Sequence, residues 1–115
     1  MARWYGSFQN RLMENMSGQP DPVVGMGCTE VLWSDREPFE VIAVKDVRHC
    51  TARAMKTKLI GGAYTNDWEI TPDENGYTVE LFRKKNGQWV QRYADRSYGN
   101  RFVMGYADKN YDWSF

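Results

Sequence analysis

YTVELFRKKNGQWVQRY, residues 77–93, is the stretch whose reading decides the fold. Two runs rich in branched and aromatic residues flank Asn86-Gly87, and such a pair between β-prone runs marks a tight hairpin. Asn and Gly both accept positive φ, so the spacing predicts a type I′ turn. Alternation puts Tyr77, Val79, Leu81 and Arg83 on one face and Thr78, Glu80, Phe82 and Lys84 on the other.

Working outward, the flanking sequence repeats the pattern of short strands and turns. Thr29 to Trp33 is branched and aromatic, and Phe39 to Val44 is apolar on both faces, as a central strand would be. From Ala52 to Ile60, Arg53, Met55 and Thr57 alternate with Ala54, Lys56 and Lys58. Gly61-Gly62 reads as a turn or kink, and Tyr64 to Ile70 as a strand closed by Pro72-Asp73-Glu74-Asn75-Gly76. Arg101 to Tyr106 and Tyr111 to Phe115 supply two last strands. This spacing predicts a mainly β protein: a small curved antiparallel sheet or barrel.

The first residues read differently. Trp4, Phe8, Leu12 and Met16 fall four apart and make an apolar stripe, with Ser7 as N-cap. Ser17-Gly18-Gln19-Pro20-Asp21-Pro22 stops that pattern, since glycine ends a helix and proline forces extended backbone. One short N-terminal helix from Ser7 to Met16, within residues 1–18, and a β body over 23–115 are therefore expected. The whole of 1–115 is read as one domain.

Composition narrows the function. Fifteen basic and fifteen acidic residues cancel, which argues against a dedicated coat for duplex DNA. Zero net charge leaves little mutual repulsion, so a homo-oligomer is expected. No apolar run approaches the ~18 residues of a membrane span. Met1-Ala2-Arg3-Trp4-Tyr5 lacks the apolar core of a secretion signal, so a cytoplasmic protein is expected. Cys28 and Cys50 fit no zinc spacing and read as reduced, buried thiols, and no metal or cofactor is implied. Seventeen aromatics and nine arginines stand against the single His49. Aromatic faces and guanidinium forks hold flat or anionic ligands, whereas proton transfer draws mainly on histidine. The expectation is a binder and not an enzyme.

Candidate sites follow from side-chain chemistry. In Trp33-Ser34-Asp35-Arg36 the tryptophan can wall a pocket and the arginine can hold an anion, although Ser-Asp also makes an ordinary turn. Gly25-Met26-Gly27 lacks the further residues of a phosphate loop and reads as a bulge or a flexible lead into a strand. Lys45 to Lys58 is basic, but alternation divides its charge between two faces. His49 and Cys50 are adjacent and so point to opposite faces of a strand, which keeps them from forming a nucleophile–base pair. Asp67, Glu69, Asp73 and Glu74 read as turn residues. Around the hairpin, aromatics interleave with arginines as in a platform for bases. Ligand binding is thus assigned to Trp33, Arg36, Phe82, Arg92, Tyr93 and Arg101.

Val24-Gly25-Met26-Gly27-x-Thr29, Trp33-Ser34-Asp35-Arg36, Phe39-x-Val41-Ile42-x-Val44, Lys85-Asn86-Gly87-x-Trp89 and Tyr111-Asp112-x-Ser114-Phe115 together resemble a group of short phage and prophage proteins. The resemblance covers nearly the whole chain. It implies a protein of the infected bacterial cytoplasm that antagonises antiviral defence without catalysis, most simply by sequestering a cyclic nucleotide immune signal. Two other roles stay open: a protein–protein inhibitor of a defence nuclease or CRISPR complex, and a small barrel for single-stranded nucleic acid. The partner is accordingly a small nucleotide or a host defence protein.

Overall fold

The computed structural model describes residues 19–110, so the expected N-terminal helix and the strand expected at 111–115 lie outside the described residues. Within them the chain is mainly β. Eight strands form: β1 (Gly27–Val31), β2 (Arg36–Asp46), β3 (His49–Ala54), β4 (Lys56–Leu59), β5 (Trp68–Thr71), β6 (Thr78–Arg83), β7 (Trp89–Arg92) and β8 (Tyr98–Met104). Six of them close into an antiparallel barrel in the order β1-β2-β3-β6-β7-β8, and β4 and β5 form a separate hairpin. The β1–β8 ladder makes the closure, with Cys28 opposite Met104 and Val31 opposite Arg101. Closure leaves no free edge for another chain to pair with in the barrel sheet.

Opposed residues of an antiparallel pair share a face, so one row can be traced round the wall. It runs from Arg36 to Val31, Arg101, Val90, Phe82, His49 and then Asp46, all on the outward side of the wall, although Val90 is itself buried. The row leaves β2 at Arg36 and returns to β2 at Asp46, about ten residues along. That stagger is the shear that tilts the strands of a closed barrel. Breaks in the β2–β3 register at Val41/Ala43 and Val44/Asp46 supply local bends.

The interior is solid. Phe39, Val41, Leu81, Trp89, Phe102 and Met104 are fully buried and pack with Cys28, Cys50, Ala52 and Val79. Phe39 meets Phe102 edge-on with ring centroids 5.2 Å apart, and meets Tyr77 at 5.6 Å. Arg83 closes one end of this core. Its guanidinium lies 5.7 Å from the centre of the Trp89 ring, pairs with Asp21 at 2.7 Å and donates to the Gln19 carbonyl. A filled barrel has no room for a ligand, so any binding surface must be external.

A second layer seals the β1–β8 seam from outside. The Thr29 hydroxyl donates to the Tyr106 carbonyl at 2.7 Å and accepts from the Asp108 backbone N–H at 3.0 Å. The Gln19 side-chain oxygen accepts from the Met104 N–H at 2.8 Å. Gly27 permits this approach: a Cβ there would meet the Ala107 backbone nitrogen at 2.7 Å.

The hairpin of residues 77–93 forms as read, and Tyr77, Val79, Leu81 and Arg83 do share the inward side. Its turn differs from the expected type I′. Only Gly87 takes positive φ (88°), while the Gly87 N–H bonds the Lys84 carbonyl and the Lys84 N–H bonds the Gln88 carbonyl. This is a type I turn followed by a left-handed bulge residue. The next turn repeats it: Arg96 (φ 71°) bonds the Tyr93 carbonyl and Tyr93 bonds the Ser97 carbonyl. Asn86 caps the Gln88 amide in one turn, and Asp95 caps the Ser97 amide in the other. Two expected strands are shorter or broken. The run from Ala52 splits at Met55, whose N–H bonds the Pro38 carbonyl. Tyr64 (φ 64°) lies in a turn, and its strand starts at Trp68.

Removing the central side chain by Trp89→Ala should cost about 3–5 kcal/mol in urea unfolding. Trp89→Phe should cost far less, because the buried Trp89 indole N–H has no hydrogen-bond partner among the described residues and its loss relieves that defect. Arg96 holds a left-handed conformation that burdens a side chain but not glycine, so Arg96→Gly should raise the urea midpoint, by about 0.5–1 kcal/mol in stability.

Candidate functional site

The hairpin register builds an aromatic and basic surface on the outside of β3, β6, β7 and β8. His49 sits directly opposite Phe82, with ring centroids 5.2 Å apart. Phe82 stacks on Tyr98 across β7, at 6.0 Å and 13° between planes. The Arg92 guanidinium lies 4.5 Å from the Phe82 ring centre, and the Lys84 ammonium 5.7 Å from that of Tyr98. Tyr98 remains half-exposed and offers a flat face to solvent.

Beside this stack is a cleft of about 480 Å³ lined by Arg48, Phe82, Lys84, Lys85, Asn86 and Tyr98. Three of the six residues are cations and none is a carboxylate. Two turns create it, since Arg48 ends the β2–β3 turn while Lys84, Lys85 and Asn86 form the β6–β7 turn. The Arg83 N–H bonds the Arg48 carbonyl, and the Arg48 guanidinium donates to the Arg83 carbonyl at 3.2 Å, which ties the two turns together.

The six residues assigned from sequence do not form one pocket. Phe82 and Arg92 touch, and Tyr93 follows them into the turn. Arg101 lies two strands from Phe82 in the same outer row, roughly 10 Å round the wall. Arg36 sits on β2 near the opposite end, up to ~30 Å along the strand from Asp46 and His49. Its backbone pairs both ways with Asn110. Trp33 is fully exposed at the tip of the β1–β2 turn. Sequence reasoning passed over Arg48, Lys84 and Lys85. The tandem lysines beside Asn86-Gly87 were the available signal, but Arg48 is placed there only by the β3–β6 register.

His49 and Cys50 diverge as the alternation requires. The His49 ring bonds the Asp46 carboxylate at 2.8 Å outside the barrel, and that bond together with the Arg48 amide holds the Asp46 pKa below its usual value. Cys50 is buried, and desolvation pushes its thiol up to about 12, with the Glu80 charge adding to the effect. Full burial raises Cys28 well above its ordinary value, and Cys50 contributes further. Both cysteines are free thiols. Among the described residues no group of three or more His, Cys, Asp or Glu side chains could hold a metal, and no helix is long and apolar enough to cross a membrane.

In comparisons with protein-family models, curated proteins and solved structures, nothing matches this chain.

Because folding raises both thiol pKa values, the unfolded chain loses these protons first as pH rises. The stability the neutral thiols contribute is complete below about pH 9 and falls above it. The melting temperature should decline from pH 9 to 11, and Cys50→Ala should flatten that decline. Alkylation of either thiol at pH 7.5 should be slow until urea unfolds the protein.

Proposed function

We propose that this protein is a non-enzymatic binding module that sequesters a nucleotide signal on the outer face of β6 to β8, as an antagonist of bacterial antiviral defence. The observation that carries the proposal is the cleft of three cations and two aromatics without a carboxylate. Tyr98, backed by Phe82, offers a stacking face for a base. Arg48, Lys84 and Lys85 offer donors for phosphate oxygens. The filled interior supports an external site, and the local concentration of cations supports an anionic ligand although the whole chain is neutral. Resemblance of the sequence to phage and prophage proteins supports the defence context.

A second reading rests on the continuation of the outer row to Arg101. A longer anionic strand could follow that path, as single-stranded nucleic acid does on other small barrels. Oligonucleotide length and salt separate the two readings. A strand binder gains affinity with length and loses it steeply with salt, whereas a nucleotide trap reaches full affinity with the small ligand.

Calorimetric titration with cyclic and linear mono- and dinucleotides should show saturable binding. Tyr98→Ala should weaken it by about 1–3 kcal/mol, the usual worth of one base–aromatic stack. The double variant Lys84→Ala/Lys85→Ala should weaken it about tenfold or more at low salt. Absence of heat with every nucleotide, at both 50 mM and 200 mM salt as rough settings, would rule the proposal out.

A further inference from the structure

We infer that a second cleft, directly beyond the Phe82–Arg92 stack, is a base-reading subsite selective for guanine, so that the preferred ligand carries two nucleotide units. The inference rests on the nucleotide-binding reading above and specifies its ligand. This cleft encloses about 450 Å³, close to the volume of the first. Its walls include Lys45, His49, Thr51, Glu80, Arg92 and Tyr93. The partition between the clefts is physical: Phe82 lines the first, Arg92 and His49 line the second, and both pack on the Phe82 ring.

The chemistry of the second cleft differs from the first in one respect. It contains a single carboxylate, Glu80, held by a hydrogen bond from the Thr51 hydroxyl to Oε2 at 2.7 Å. Thr51 and Glu80 are directly opposed across β3 and β6, so the ladder itself sets this geometry. With Oε2 accepting from Thr51, Oε1 and the remaining lone pairs can still accept from a ligand in the cleft that Glu80 lines. A fixed carboxylate selects a partner with two adjacent N–H donors. Among the common bases only guanine has that arrangement, with N1–H beside the exocyclic amino group. Adenine offers one amino group beside an acceptor, which a carboxylate repels.

The remaining walls suit the rest of a nucleotide. Tyr93 is half-exposed and supplies a ring for stacking. Gly99 lets that ring lie against β8, since a Cβ there would meet the tyrosine hydroxyl at 2.9 Å. Arg92 spreads over Phe82 at the boundary, where a phosphate linking two nucleotides would lie, and Lys45 stands on the far rim.

The test titrates wild-type protein and Glu80→Gln with two probes, the linear dinucleotides pGpG and pApA. Wild type should bind pGpG at least about tenfold more tightly, the effect of a charged acceptor meeting two donors. Glu80→Gln, which turns an amide N–H₂ toward the guanine donors and removes the charge that repels the adenine acceptor, should erase that preference by weakening pGpG and tightening pApA. Thr51→Val, which frees the Glu80 side chain, should reduce the preference while retaining binding. Glu80 is exposed, so folding should survive, and near-UV circular dichroism checks it. Equal affinities in wild type, or a guanine preference that persists in Glu80→Gln, overturns the inference. Binding that depends on Lys84 and Lys85 but ignores the base overturns this subsite alone, as does failure of both probes when another nucleotide binds; failure of every nucleotide to bind overturns the nucleotide reading with it.

Discussion

Pairing of β1 with β8 is the constraint on which everything else in this molecule depends. It joins residues that lie far apart in the chain, Cys28 with Met104, and turns an open six-stranded sheet into a closed wall. Without it Phe102 and Met104 lose the neighbours that bury them, and the interior around Trp89 opens to water. The outer braces from Thr29 and Gln19 act on the same seam and satisfy backbone groups that would otherwise be buried unpaired. Hydrophobic burial inside and hydrogen bonding outside thus converge on one ladder.

Closure also sets what the surface can do. A filled barrel moves any ligand to the outside, and strand stagger decides which outward residues become neighbours. Phe82, His49 and Arg92 come together because β3, β6 and β7 are consecutive in the wall. The turns then add charge: Arg48 from one and Lys84 with Lys85 from another meet at the same end. The two clefts share a floor of ladder backbone and a dividing ridge of one aromatic and one guanidinium. Rigid strands position the aromatics and the Thr51–Glu80 pair, while more adaptable turn residues supply the cations.

Much of the fold was legible in the sequence. Alternation from Tyr77 to Lys84 correctly separated the two faces of the strand without saying which was inside, and Asn86-Gly87 correctly marked the reversal. The turn type was not legible, because a left-handed Gly87 serves both a type I′ turn and a bulged type I turn. The same bulged turn at Tyr93–Ser97 was invisible, since Arg96 carries no mark of a left-handed residue. The split at Met55 also had no local sign, as alternation runs through it without glycine or proline. Of the site, Phe82 and Arg92 were found by residue type and their spacing on the hairpin. Trp33 and Arg36 were grouped with them by chemistry alone, and only barrel curvature and stagger show how far away they lie. Long-range register carries that information, and no window of sequence contains it.

The seam between β1 and β8 has a kinetic side. Its partners are the first and last strands of the barrel, so the loop that must close spans nearly the whole β body. Ordering so long a loop costs entropy before any contact repays it, which places this chain among slow-folding topologies. On the ribosome the hairpin of β6 and β7 can form early, but the wall cannot shut until β8 has emerged. Through that interval β1 presents an unpaired edge to its surroundings, and the same backbone groups that later seal the barrel are open to pairing with a neighbouring chain.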